Sequence, residues 1–133
     1  MTILVSLLLT HNMRKIYLVE DDQAIREVLE VFLSLEDFEV HSFISVAEFK
    51  ERDVEVIPDL YLFDVNLPDG SGIDLCHQIK SDSKNQDVPV MIMSAHANIQ
   101  HLKDFCEPDE MISKPFDIDN LLKRIQGVID SKQ

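Results

Sequence analysis

Five short apolar runs alternate along the chain with stretches in which apolar residues recur every three or four positions. Runs rich in β-branched and aromatic residues are typical of buried strands, and the helical spacing is typical of amphipathic helices that cover a sheet. The pattern predicts strands at 15–20, 38–43, 59–64, 88–93 and 110–113. It predicts helices at 23–35, 45–53, 73–80 and from 118 onward, with a weakly periodic helix at 97–106.

The alternation of strands and helices predicts an α/β fold. We expect a flavodoxin-like (βα)5 doubly wound parallel sheet, with strand order 2-1-3-4-5 and helices on both faces. Ser45, Ser71 and Asp117 stand where N-caps are expected. The first helix carries five apolar residues that we expect to face the sheet: Ile25, Val28, Leu29, Phe32 and Leu35.

The chain length and the net charge limit the number of domains and the classes of binding partner. The 133 residues allow one domain, and the net charge of -13 disfavours direct binding to nucleic acid. Residues 1–12 contain no charged side chain, and their apolar run is too short to span a membrane. We expect an extension at 1–12, disordered or from a misassigned start codon, followed by a domain at 13–133. Cys76 and Cys106 lack metal-ligand spacing, so free thiols in the cytoplasm are the expectation.

Polar side chains follow four of the five predicted strands. Asp21 and Asp22 follow the first, Asp64 ends the third, Ser94 follows the fourth and Lys114 follows the fifth. Because the carboxyl ends of parallel strands meet at one edge, we expect these groups to converge. Three clustered carboxylates require a cation, and an all-oxygen ligand set suits Mg²⁺, with Mn²⁺ as a second possibility. A lysine and a hydroxyl suit phosphoryl oxygens, so the residues predict Mg²⁺-dependent phosphoryl acceptance on Asp64.

Four motifs resemble the receiver domain of bacterial two-component response regulators. They are Val19-Glu20-Asp21-Asp22, Phe63 to Gly72, Met93-Ser94-Ala95 and Ser113-Lys114-Pro115-Phe116, and the resemblance covers residues 13 to about 132. It implies that Asp64 accepts the phosphoryl group from a phosphohistidine. It also implies that Mg²⁺ is held by Asp22, Asp64 and the backbone carbonyl of Asn66, with Asp21 acting through water. Lys114 and Ser94 would contact the phosphoryl oxygens, and the Lys114-Pro115 peptide would be cis.

The sequence departs from the family at the position where a Tyr or Phe usually rotates on activation, because Met111 stands there. The interval from Ser94 to Lys114 is also shorter than is common. We expect a stand-alone, chemotaxis-regulator-like cytoplasmic receiver that catalyses only its own phosphoryl transfer and autodephosphorylation. Its partners would be a histidine kinase or histidine phosphotransfer protein and an unnamed downstream protein. Two alternatives stay open: a phosphorylation-independent interaction module, and a phosphate shuttle or sink.

Overall fold

The computed structural model describes residues 13–95 and 106–132. The strands are β1 (Arg14–Val19), β2 (Phe38–Phe43), β3 (Leu60–Asp64), β4 (Asn66–Leu67), β5 (Gly70–Ser71), β6 (Val90–Ser94) and β7 (Glu110–Ser113). The helices are α1 (Gln23–Leu35), α2 (Val46–Lys50), α3 (Gly72–Ser81) and α4 (Ile118–Asp130), with a short 3₁₀ turn at Ser83–Asn85. The extension expected at 1–12 and most of the helix expected at 97–106 lie outside the described residues.

Five of the strands form one parallel sheet in the order β2-β1-β3-β6-β7. Counted without the short strands β4 and β5, this is the order 2-1-3-4-5, so the predicted fold is confirmed. The register places Asp64 beside Met93 and Ser94 beside Ser113. The carboxyl ends of the central strands therefore lie at one edge of the sheet. The two-residue strands β4 and β5 pair as a small antiparallel ribbon that the sequence pattern did not predict.

The core has two apolar layers, one on each face of the sheet. Alternate side chains of a strand point to opposite faces, and β3 shows this directly. Tyr61 and Phe63 pack in one layer with residues of α2 and α3, whereas Leu60 and Leu62 pack in the other with residues of α1 and α4. All five residues of β3 are buried because helices cover both faces.

Helix α1 differs from its predicted orientation. It buries Leu29 and Leu33 against the sheet. The prediction was wrong for Val28, Phe32 and Leu35, whose exposed fractions are 47%, 41% and 71%. The helix carries two apolar stripes, and only one of them can face the sheet. The other, which also includes Val31, is exposed and is called the α1 stripe below: Val28, Val31, Phe32 and Leu35.

The predicted helix caps are confirmed. The hydroxyl of Ser45 accepts a hydrogen bond from the Glu48 amide, and the hydroxyl of Ser71 accepts one from the Ile73 amide. Asp117 caps α4 in the same way. These short side-chain acceptors satisfy amide groups that have no partner within a helix. Within the described residues, no helix has both the length and the apolar composition that a membrane span requires.

The expectation of free cysteine thiols was wrong. Cys76 on α3 and Cys106, shortly before β7, are joined by a disulfide with their Cα atoms 6.3 Å apart. Cys76 is fully buried, and Cys106 is 6% exposed. The two residues are 30 positions apart in the sequence. Their pairing depends on how α3 lies against the chain that enters β7, which residue spacing alone does not specify.

Candidate functional site

The carboxylate of Asp64 lies at the end of the central strand β3, beside the ammonium group of Lys114. Lys114 Nζ is 3.2 Å from Asp64 Oδ2 and 2.6 Å from Glu20 Oε1. Lys114 follows β7, two strands away in the sheet, so the sheet register brings these groups together. Asp64 is 7% exposed as a whole residue and Glu20 is fully buried. The ammonium group of Lys114 therefore contacts two buried carboxylates at the edge of the sheet where the strands end.

The acidic group at this edge consists of Glu20, Asp21 and Asp64. One carboxylate oxygen from each residue lies within 4.8 Å of the corresponding oxygens of the other two, and Asp21 is exposed. Asp22, assigned to the metal from the sequence, has a different role, because its Oδ1 accepts a hydrogen bond from the Ile25 amide at 3.0 Å and caps α1. The two carboxylates grouped with Asp64 are therefore those of Glu20 and Asp21, whereas the predicted pair was Asp21 and Asp22.

The sequence did contain a signal for this shift. An Asp at the start of a helical pattern is a typical N-cap, and Asp22 stands directly before the first helical residue, Gln23. An N-cap carboxylate turns toward the helix amides, which leaves Glu20 and Asp21 to face the strand ends. No role was predicted for Glu20 from the sequence.

Burial and neighbouring charges alter both members of the Glu20–Lys114 pair. Burial, with a smaller contribution from the neighbouring Asp64 carboxylate, raises the pKa of Glu20 to about 7, although Lys114 opposes the shift. Burial by itself would lower the pKa of Lys114, but its contacts with Glu20 and Asp64 outweigh this and raise that pKa. Lys114 is therefore a fixed positive charge beside Asp64.

Ser94 and Asn66 lie close to Asp64 along the strands. Ser94 ends β6 and is fully buried, and its carbonyl accepts a hydrogen bond of 2.7 Å from the Lys114 amide. This bond holds the end of β6 against the residue that contacts Asp64. Asn66 begins β4, two residues after Asp64, with its side chain exposed. The roles of the Ser94 hydroxyl and the Asn66 carbonyl stay predictions.

The loop after Asp64 folds back over the backbone of β3. The Gly72 amide donates to the Val65 carbonyl at 3.1 Å. A Cβ atom on Gly72 would lie only 2.2 Å from the Asp64 carbonyl oxygen, so no larger residue fits there without displacing that backbone. This contact positions the start of α3 against Asp64. Spacing along the chain does not reveal it, because it depends on the distance between two backbone segments.

Asp69 in the same loop holds the start of α2. Its two carboxylate oxygens accept hydrogen bonds from the Val46 and Ala47 amides at 2.8 and 2.9 Å. These backbone bonds lower the pKa of Asp69. This link between the loop and α2 was not predicted from the sequence.

Two further expectations concern β7 and the peptide that follows it. The Lys114-Pro115 peptide is cis, as the resemblance implies. Met111 is 7% exposed and packs in the core layer that contains Tyr61, Phe63 and both cysteines. A flexible, unbranched side chain therefore fills the core at the position where the family usually has an aromatic ring.

Comparison with known proteins places the chain in one family. The family model for the response regulator receiver domain matches residues 16–126. The transcriptional regulatory protein GltR of Pseudomonas aeruginosa is 36% identical over 124 residues, which cover 92% of this chain and 51% of that protein. The cell cycle transcriptional regulator CtrA of Caulobacter vibrioides is 33% identical over 121 residues, which cover 86% of this chain and 50% of that protein. The chain thus spans about half the length of these curated relatives.

Solved structures show the same fold at lower sequence identity. A CheY-like receiver domain protein from Methanospirillum hungatei superimposes with a TM-score of 0.82 at 24% identity, over 91% of this chain and 97% of that one. The response regulator TrrA of Thermotoga maritima, solved in complex with Mg²⁺-BeF, gives a TM-score of 0.75 at 23% identity, over 87% and 99% of the two chains. The matched family model, the strand order and the convergence of acidic groups with a lysine agree. The chain belongs to the response regulator receiver domain family.

Proposed function

We propose that this receiver domain accepts a phosphoryl group on Asp64 from a histidine kinase or histidine phosphotransfer protein, in a Mg²⁺-dependent step, and signals by contact with other proteins. The observation that carries the proposal is the contact of 3.2 Å between Lys114 Nζ and Asp64 Oδ2, beside two further carboxylates. The net charge of -13 favours protein partners over a phosphate backbone. We place the domain in the cytoplasm, where the proposed donors present their phosphohistidines.

The proposed reaction is a direct transfer to a carboxylate nucleophile. One Asp64 oxygen bonds to phosphorus while the bond from phosphorus to the donor imidazole breaks, and the electron pair of that bond stays on the imidazole nitrogen. Lys114 is placed to balance the charge on the phosphoryl oxygens. Water later hydrolyses the aspartyl phosphate and regenerates Asp64, so we propose that the domain catalyses only its own phosphorylation and dephosphorylation.

The acidic group fits a hard divalent cation. Glu20, Asp21 and Asp64 offer only oxygen ligands, within 4.8 Å of one another, as Mg²⁺ prefers. Bound Mg²⁺ would supply positive charge that holds phosphoryl oxygens beside carboxylates that would otherwise repel them. The complex of the Thermotoga relative with Mg²⁺-BeF supports this proposal. We assign the site to Glu20, Asp21, Asp64 and the Asn66 carbonyl rather than to Asp22.

The α1 stripe and an adjoining groove form a candidate docking surface for the phosphodonor. The groove has a volume of about 440 Å³ and runs between α1 and the segment after β7, beside Lys114. Its lining includes Ile25, Val28, Pro115 and Phe116 and is almost entirely apolar. A donor histidine must approach Asp64 across this edge of the sheet. Apolar surface that adjoins Asp64 is therefore suited to bury apolar surface of the protein that carries the histidine.

Intact-protein mass spectrometry after incubation with acetyl phosphate and Mg²⁺ tests the chemistry. We expect one phosphoryl adduct that is absent with a chelator and absent in Asp64→Asn. The matched control is Asp74→Asn, which removes an exposed carboxylate from α3 and should keep the adduct. An adduct that persists in Asp64→Asn would refute the assignment. No adduct with either acetyl phosphate or a phosphorylated kinase would favour the phosphorylation-independent module.

The docking surface has a separate test. Val28→Glu places a charge in the groove and should slow transfer from a phosphorylated kinase or phosphotransfer protein at least about tenfold. The reaction with acetyl phosphate, which needs no docking surface, should be unchanged. If the protein donor transfers the phosphoryl group to the original protein and to Val28→Glu at equal rates, docking lies elsewhere on the domain.

A phosphate shuttle is the second candidate, and the presence of Met111 in place of the usual aromatic residue favours it. Without an aromatic ring at this position, the usual rotation that reports phosphorylation cannot occur. Transfer of the phosphoryl group from Asp64 back to a phosphotransfer histidine, faster than hydrolysis, would support the shuttle. Hydrolysis as the only fate of the group would exclude it.

A further inference from the structure

The disulfide between Cys76 and Cys106 joins two elements that both lead to the functional site. Cys76 lies in the middle of α3, whose first residue, Gly72, is in contact with the Asp64 backbone. Cys106 precedes β7, which ends immediately before Lys114. The bond thus connects the helix that follows the phosphoacceptor loop with the strand that carries the lysine. Nothing in the proposed phosphoryl transfer requires this bond.

A second connection between the same two elements is not covalent. Lys80, one helical turn after Cys76, donates to a carboxylate oxygen of Asp109, three residues after Cys106. Asp109 also accepts a hydrogen bond from the Val90 amide and donates its own amide to the Val90 carbonyl, both at 2.8 Å. These contacts hold α3 and the entry to β7 in place independently of the sulfur atoms. Breaking the disulfide should therefore loosen this region without unfolding the domain.

The cross-link lies in the same apolar layer as Met111. Tight packing transmits small displacements, and a change at Cys106 acts on the strand that contains Met111. Met111 has no ring to rotate, so the extent to which β7 can move depends on how firmly the segment before it, which contains Cys106, is held. The disulfide is a covalent restraint on that freedom.

We propose that Cys76 and Cys106 form a reversible redox cross-link that controls how strongly β7 responds to phosphorylation of Asp64. In the disulfide form, α3 is locked to the entry of β7 and the response is damped. In the dithiol form, only the Lys80–Asp109 contact and packing remain, and β7 responds. Disulfides in reducing compartments are typically transient and redox-sensing, which agrees with the proposed cytoplasmic location. The effect on the response rests on the proposed function, whereas the redox chemistry does not.

Thiol–disulfide exchange accounts for both directions. A thiolate of glutathione attacks one cysteine sulfur, the bond between Cys76 and Cys106 breaks, and the other cysteine leaves as a thiolate. A second glutathione resolves the mixed disulfide, so two glutathiones are oxidised to glutathione disulfide as the protein gains two thiols. Oxidation is the reverse. Cys106, which keeps 6% exposure, is the less buried residue of the pair, and the full burial of Cys76 makes local opening a condition of exchange.

The redox chemistry is tested on the whole chain without phosphorylation. The protein is equilibrated with glutathione buffers from reducing to oxidising, quenched with acid, unfolded, alkylated with N-ethylmaleimide and weighed by mass spectrometry. We expect two alkylations in reducing buffer and none in oxidising buffer. The Tm of the reduced protein should be lower by roughly 10 °C, because the cross-link closes a loop of about 30 residues. A pair that stays in one form across the whole range would overturn the proposal.

The effect on signalling is tested by hydrogen exchange with and without the phosphoryl adduct, whose presence is verified by mass. We expect phosphorylation to change exchange in β7 and α3 at least about threefold more in the reduced protein than in the oxidised one. The variant with both Cys76→Ala and Cys106→Ala should behave like the reduced protein in either buffer. Equal responses in the two forms would refute the control of signalling. Failure to form the adduct at all would refute the proposed function, while the alkylation and Tm results would still decide the cross-link.

Discussion

Gly72→Ala is the substitution that most directly tests how the loop positions Asp64. The added Cβ would lie 2.2 Å from the Asp64 carbonyl oxygen, 2.9 Å from its carbon and 3.0 Å from Phe63 Cβ. Real Cβ atoms do not approach closer than 3.0 Å, so the oxygen or the start of α3 must move by at least the difference, 0.8 Å. Both are backbone, and β3 is fixed by hydrogen bonds to β1 and β6. No flexible side chain can absorb the displacement.

The expected loss follows from that distance. Overpacking of this kind costs about 1–3 kcal/mol, and we expect the upper end because the contact is with backbone. A displacement of about 1 Å at a reacting group can reduce the rate roughly 100-fold, so acetyl phosphate should label the variant far more slowly. Urea unfolding followed by circular dichroism gives the free energy of unfolding, and intact mass gives the labelling rate.

Gly127→Ala is the matched control. Gly127 lies within α4, and in the described part of the chain nothing beyond its two chain neighbours and the adjacent helix backbone lies within 4 Å of the added Cβ. Because alanine favours a helix over glycine, this variant should gain about 1 kcal/mol and label normally. Gly72→Ala with stability within about 0.5 kcal/mol of the original protein and an unchanged labelling rate would refute the steric argument.

Four further substitutions test three other parts of the structure. Asp21→Asn should weaken Mg²⁺ binding, measured by calorimetry, at least about tenfold. Asp22→Ala should leave Mg²⁺ binding unchanged and cost about 1 kcal/mol of stability, because the N-cap of α1 is lost. The opposite pattern would restore Asp22 as the metal ligand assigned from the sequence. Tyr61→Phe removes a buried 2.6 Å hydrogen bond to Asn85 and should cost about 1–2 kcal/mol in urea unfolding, without slowing phosphorylation; an unchanged urea midpoint would contradict this. Asp109→Asn should cost about 1–2 kcal/mol at neutral pH. Burial is the largest single influence on the pKa of Asp109 and raises it. The hydrogen bonds from Lys80 and Val90 together outweigh burial, so the pKa lies below its ordinary value. Its contribution is therefore present above the ordinary Asp pKa of about 3.9 and is lost as the pH falls through the lower folded value. The stability difference between the two proteins should shrink in acid, and a difference independent of pH would exclude the charge as its cause.

The sequence was most informative where a local pattern specifies a local structure. The period of apolar residues located the five strands of the main sheet and the four described helices. Three N-caps were identified because a short polar side chain satisfies the amides directly after it. The strand order followed from the rules that govern parallel sheets, and these rules also placed Asp64 and Lys114 at the same edge.

The errors occurred where one local pattern allowed two arrangements. Helix α1 has two apolar stripes, and contact with the sheet buried Leu33 and left Phe32 exposed. The acidic run contains three adjacent carboxylates, and the position of the first helix amide decided which of them caps the helix. A choice of this kind depends on how the helix is rotated against the sheet.

What the sequence by itself determined was therefore the fold, the family and the placement of Asp64 and Lys114 at one edge of the sheet. Only the tertiary structure decided that Glu20 joins Asp21 at the site, that Gly72 is in contact with the Asp64 backbone, and that Cys76 meets Cys106. The physical reason is the distance along the chain over which each kind of interaction acts. Periodicity and capping act over a few residues, whereas a fit of 2.2 Å or a bond across 30 residues is set by the packing of whole elements.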